Sequence, residues 1–299
     1  MNDTRMEAAI IFETHLPDAL RLALEYAGDD GFVASMPQLL HARANADFDN
    51  EIWNNWFFTS NSEESVATTR QGNHVAVAVH GGGIFATPQR FRKLYLASAS
   101  RSSPDGFTGL FGAKILEREA QDVLDGKLPD GTEIPVFPFD EFRQGVANLP
   151  RRYAVVMDFE IARTSKCGFA SFDDLKDDPL TIVRAGGVEA AEKYLDKARD
   201  YYGTTEMGSW HRYDDLNPDQ AQTYVPFLFD CLGGGNSEDG VDPAGRQQGN
   251  TDSWFTHYRI ARHSGFGLRG DTAMINTARY VAVAPRNVST GVRDLPFVA

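Results

Sequence analysis

Apolar and small residues alternate over 74–80, where Val75, Val77 and Val79 are set against Ala76 and Ala78. A period of two with β-branched residues on one face predicts a buried strand. The run, HVAVAVHGGGIF over 74–85, stops at His80, and Gly81, Gly82 and Gly83 then release the backbone to positive φ where the imidazole is delivered. Upstream, AAIIF over 8–12 reads as a short strand ending in Glu13 and His15. Pro17 opens a helix, because Ala19, Leu20, Ala23, Leu24 and Ala27 fall at helical spacing and Gly28 stands where a C-cap glycine is expected. The stretch 32–71 is less regular. Within it NEIWNNWFF over 50–58 suits either a packed loop or a partner surface, since Trp and Phe dominate burial at both.

Downstream, 88–97 reads as a basic helix, and Gly106, Gly109 and Gly112 lead into a helical pattern opened by Lys114, KILEREAQDVLDG. A glycine-rich turn into a helix N-terminus can receive an anion, but GxxxxGK[ST] is absent, so this is not a Walker A loop. The Pro-, Gly- and charge-rich stretch 129–150 is the candidate boundary between subdomains. YAVVMDF over 153–159 predicts a strand ending in Asp158 and Glu160, which alternation places on one side. A long amphipathic helix is expected over 188–202. VPFLFDCL over 225–232 reads as a further strand carrying Asp230 and Cys231 ahead of Gly233 and Gly234, and RYVAVA over 279–284 is the last, closed by Pro285 and Arg286. Strands alternating with helical patterns predict an α/β fold. We expect a single domain over 1–299, with a largely parallel or mixed central sheet flanked by helices and long irregular loops.

Composition narrows the partners. A formal net charge of -13, from 42 acidic and 29 basic residues, opposes nucleic acid and anionic lipid. Apolar runs fall far short of the ~20 residues of a membrane span. Two cysteines, Cys167 and Cys231, and an opening without a basic and apolar leader predict a cytoplasmic protein.

In a parallel sheet, ligands bind beyond the carboxyl ends of the strands. Carboxylates and imidazoles gathered there can hold a divalent cation that lowers the pKa of a bound water. The expected metal ligands are His15, His80, Asp158 and Asp230, with Glu160 as general base and Arg286 as a bidentate clamp on a substrate carboxylate or phosphate. Gly81, Gly82, Gly83, Gly233 and Gly234 form the candidate cofactor-binding loops beside them. The reading is a metal-assisted hydrolase or lyase acting on a small carboxylate- or amide-containing substrate. The competing explanation of each residue is helix capping and turn chemistry.

Two other readings compete with it. HGGG over 80–83 resembles the oxyanion-hole tetrapeptide of the lipase and esterase branch of the α/β-hydrolases, which implies a backbone N–H stabilising a tetrahedral oxyanion. No GxSxG follows, so that chemistry would need Cys231 or Cys167 as nucleophile and His80 or His263 as base. The third is a non-catalytic assembly subunit using the aromatic stretch, with homo-oligomers expected. Elemental analysis of protein purified without added metal separates the first from the other two: a stoichiometric divalent cation under the first, none under the others.

Overall fold

The computed structural model describes residues 6–13, 16–29, 31–50, 52–53, 57–58, 62–83, 88–89, 92, 113–209, 211, 213–224, 227–228 and 278–285. Its first elements follow the apolar pattern: strand β1 (Met6–Glu13), then helix α1 (Leu16–Ala27), which buries Ala19, Leu20, Ala23 and Ala27. Gly28 closes α1 at φ 62°, its N–H donating to the Leu24 carbonyl. Next come β2 (Phe32–Val33), α2 (Met36–Asn45), β3 (Phe57–Phe58) and the hairpin of β4 (Ser62–Thr68) and β5 (His74–His80). The chain continues through β6 (Ala113–Lys114), α3 (Glu117–Leu124), β7 (Val136–Pro138), α4 (Phe139–Phe142), β8 (Tyr153–Asp158) and α5 (Phe159–Arg163). The remaining elements are β9 (Gly168–Ser171), α6 (Phe172–Lys176), α7 (Pro179–Ala185), α8 (Val188–Tyr202), β10 (Glu206–Ser209), β11 (Gln222–Tyr224), β12 (Phe227–Leu228) and β13 (Ala278–Pro285).

The architecture is α/β, with a mixed central sheet flanked by helices. That six-stranded sheet runs in the order β6-β11-β4-β5-β8-β7. Among the described residues only β7 and β8 pair in parallel within it, so the largely parallel alternative is corrected to the mixed one. The reason is local. β4 and β5 are joined by a tight turn in which the Thr69 N–H donates to the Asn73 carbonyl at 2.8 Å, and a connection this short permits only an antiparallel hairpin. A second sheet, β1-β13-β2, is antiparallel throughout and brings the first and last strands side by side.

β5 serves two cores. Its valines pack with Val123, Leu128 and Ile134 on one face of the sheet. Ala76 and Ala78 face the other way, toward Leu180, Ile182 and Val183 of α7, where their small side chains let the helix approach closely. A third cluster joins α2, α6 and α8 around Trp53, which is 0% exposed. Its ring stacks on Tyr201 at 4.7 Å, and the Arg43 guanidinium lies 5.5 Å from its centroid. Within 50–58, Ile52 and Trp53 are therefore packed inside the fold.

Trp53→Ala is expected to lower unfolding free energy by about 3–5 kcal/mol, measured from urea midpoints, and Trp53→Phe by less because the ring contacts with Tyr194 and Tyr201 are partly kept.

Candidate functional site

The sequence of β4, SEESVAT, has no hydrophobic period, yet the strand is buried over Ser62 to Ala67. Its polar side chains must therefore find partners inside. Glu64, whose side chain is 2% exposed, accepts two hydrogen bonds from Arg184 in the last turn of α7, Nε to Oε1 at 2.6 Å and Nη2 to Oε2 at 2.9 Å. This is a fork-on-fork pair, the arrangement that best compensates a buried carboxylate. Asp178 caps the other end of α7, accepting the Thr181 N–H at 2.9 Å and, through its second oxygen, the Lys166 N–H at 2.7 Å.

Two residues away from Glu64, the Ser62 hydroxyl accepts the Met36 N–H at 2.7 Å and lies 2.9 Å from His80 Nδ1. Met36 opens α2, so the serine satisfies one of the first-turn amides that the helix itself leaves unpaired. The hydroxyl still has a second lone pair and its proton, so it can pair with Nδ1 in either tautomer of the ring. Burial lowers the His80 pKa to about 4, against a smaller opposing influence of the Glu64 carboxylate and the Val183 carbonyl. The Tyr153 ring sits 5.0 Å from the imidazole, and burial raises its phenol pKa. His211, with Nε2 3.1 Å from the Ser165 carbonyl, is also lowered by burial and then by Arg184.

This constellation lies under one edge of the central sheet. Register pairs Ser62 with His80, His80 with Tyr153, and Tyr224 with Glu64, so β5 and β11 leave the sheet where β4 and β8 enter it. β6 enters from the same side through its antiparallel pairing with β11. The chain therefore departs at His80 into residues 84–112 and returns at Ala113 on the same edge, and β11 leads from it to β12 and residues 229–277. Gly81 begins that departure at φ 85°, with the Arg151 carbonyl 2.7 Å from where a Cβ would stand, so both conformation and space require glycine.

The structure distributes the residues singled out from sequence. His80 and Gly81, Gly82 and Gly83 are at the edge just described, but Asp158 pairs with Val75 at the opposite end of β5. Five residues of strand separate His80 from that end, about 17 Å at 3.4 Å per residue, too far to share an ion. The antiparallel partnership of β5 and β8 causes this: their carboxyl ends point to opposite edges. Asp158 caps α5, accepting the Glu160 N–H at 2.8 Å, and Glu160 pairs with Arg163 at 2.6 Å on the surface, which holds its carboxyl below its ordinary pKa. Alternation does not carry through to Glu160, because the strand ends at Asp158 and a helix begins. Ser62 and His80 are 0% and 1% exposed, so the pair presents no surface to a substrate. Cys167, the other candidate nucleophile, is half-buried, its Sγ 3.8 Å from the His211 carbonyl. His15, Asp230, Cys231, Gly233, Gly234, His263 and Arg286 lie outside the described residues, as does most of 88–97. An open cleft of about 540 Å³ is lined by Asp173, Asp174, Asp177, Asp178 and Lys166. Its carboxylates serve the fold: Asp178 as the α7 cap, Asp173 as the partner of Arg199 at 2.7 Å. Among the described residues no group of three His, Cys, Asp or Glu side chains is placed to hold a metal ion.

No family model and no curated protein matches the chain. It is similar to a solved structure described as the accommodation of massive sequence variation in Nanoarchaeota by the C-type lectin fold, at 23% identity and a TM-score of 0.56, over 78% of this chain and 90% of that one. The likeness is one of fold. Among the described residues no helix is long and apolar enough to cross a membrane.

Two stability measurements test the constellation. Because the His80 pKa falls from 6.5 when unfolded to about 4 when folded, the folded state resists its protonation. Stability is complete above about pH 6.5 and is lost as pH falls toward 4, by roughly 3 kcal/mol from this residue. His41 and His211, both lowered by burial, add in the same direction. His80→Asn is expected to flatten the slope in denaturation curves across that window. Arg184→Met is expected to cost about 3–5 kcal/mol by stranding the Glu64 charge, and Arg184→Met with Glu64→Leu to recover most of it.

Proposed function

We propose that this chain is a non-catalytic binding protein, a C-type-lectin-like scaffold that anchors residues 84–112 at one edge of its central sheet and leads from that edge through β11 and β12 into residues 229–277, so that both segments engage a macromolecular partner. The observation that carries the reading is the convergence on that edge: β5 and β11 leave there, and β4, β6 and β8 enter there. Two further points support it. The 254–269 stretch, WFTHYRIARHSGFGLR, combines Trp254, Tyr258, Arg259 and Arg262 with serine and glycine, the mixture of rigid anchors and adaptable residues found in binding loops. The solved structure of similar fold is described as accommodating massive sequence variation, which a scaffold carrying its recognition residues outside its core can do.

Sequencing this locus in related strains tests the reading. Substitutions are expected to concentrate several-fold in 84–112 and 229–277 relative to the exposed positions of α1, α3 and α8, and equal rates in the two sets would overturn it. Cross-linking of the chain in extract of its own cells is expected to give a discrete adduct. A variant carrying Trp254→Ala, Tyr258→Ala and Arg259→Ala, with unchanged Tm, is expected to lose that adduct, and retention by the variant counts against the proposal.

A further inference from the structure

We propose that one buried water molecule is bound where β5, β8 and α7 meet, held by His80 Nε2, Tyr153 Oη and the Val183 carbonyl. His80 Nε2 and Tyr153 Oη are both fully buried, and neither has a hydrogen-bond partner among the described residues. The two rings are neighbours, with centroids 5.0 Å apart and planes at 53°. Each neighbours the C-terminal turn of α7, His80 through the Val183 carbonyl and Tyr153 Oη through Gly186. On the histidine side, Ser62 occupies Nδ1 and leaves Nε2 without a partner among the described residues, and the Val183 carbonyl is near enough to favour the charged ring. That carbonyl accepts the Gly186 N–H at 3.2 Å and keeps a second lone pair free, as carbonyls in the last turn of a helix do. On the tyrosine side, Oη lies against the C-cap of α7, 3.5 Å from where a Cβ on Gly186 would stand.

A water there pairs with Nε2 in either tautomer, donates to the Val183 carbonyl and pairs with the tyrosine hydroxyl, the three bonds usual for a buried water. It would link the end of β5, the start of β8 and the end of α7 without any side chain crossing between them. This site is independent of what residues 84–112 and 229–277 bind.

Tyr153→Phe decides the matter by the sign of its effect. If the hydroxyl holds a bound water, removing it strands that water and lowers Tm by several degrees. If the hydroxyl is dry and unpaired, the phenylalanine leaves Tm unchanged or raises it, which would overturn the proposal. The wild-type protein provides a second readout that survives a failed variant. A high-resolution crystal structure is expected to show density at hydrogen-bonding distance from both Tyr153 Oη and His80 Nε2, and density at neither atom would sink the idea.

Discussion

A carboxylate taken out of water in the middle of a sheet must be met by a cation that cannot move away, and here Glu64 is met by Arg184. Much of the fold follows from that demand. The guanidinium comes from the last turn of α7, so α7 must lie across the alanine face of β5, and its ends must be fixed for the fork to stay aligned. Asp178 holds one end as a cap, and at the other Gly186, at φ 91°, turns the chain away. The same strand supplies Ser62, which ties the first amide of α2 to His80. A polar β4 thus organises two helices and a neighbouring strand by satisfaction of its own buried groups, where a Val- or Ile-rich strand would hold them by area alone.

Such satisfaction is directional and gives the sheet edge a defined geometry. Hydrophobic clusters tolerate small shifts, whereas a two-bond fork and a Met36–Ser62–His80 chain do not. The edge from which residues 84–112 depart is therefore braced from beneath by groups that never reach the surface.

The elements with strong periods were legible in the sequence. Alternation of valine and alanine marked β5 and even its two unlike faces, and helical spacing with terminal glycines marked α1 and α8. What was not legible was β4. Its residues are polar on both faces, so no period of two in hydrophobicity exists to find, and the only local hint was the Gly72-Asn73 turn ahead of His74. Missing β4 also hid the hairpin, and with it the antiparallel sense of the sheet. That sense decides which strand ends share an edge: β5 and β11 end on one edge, whereas β8 ends on the other. Asp158 does stand at a strand end, but that end lies across the sheet from His80, and Glu160 already belongs to α5. Glu64, Arg184 and Tyr153 were missed because burial of charge and of a lone hydroxyl depends on contacts between residues far apart in sequence, 120 positions for Glu64 and Arg184.

The pairing of β1 with β13, Met6 opposite Pro285 and Glu13 opposite Ala278, has a kinetic consequence. Closing so long a chain costs about 5 kcal/mol of entropy by the logarithmic loop-closure rule, a cost that local hairpins such as β4 and β5 avoid. The β1-β13-β2 sheet should accordingly assemble late, after the central sheet has shortened the effective loop. During synthesis β1 must wait, unpaired, until nearly the whole described chain has been made.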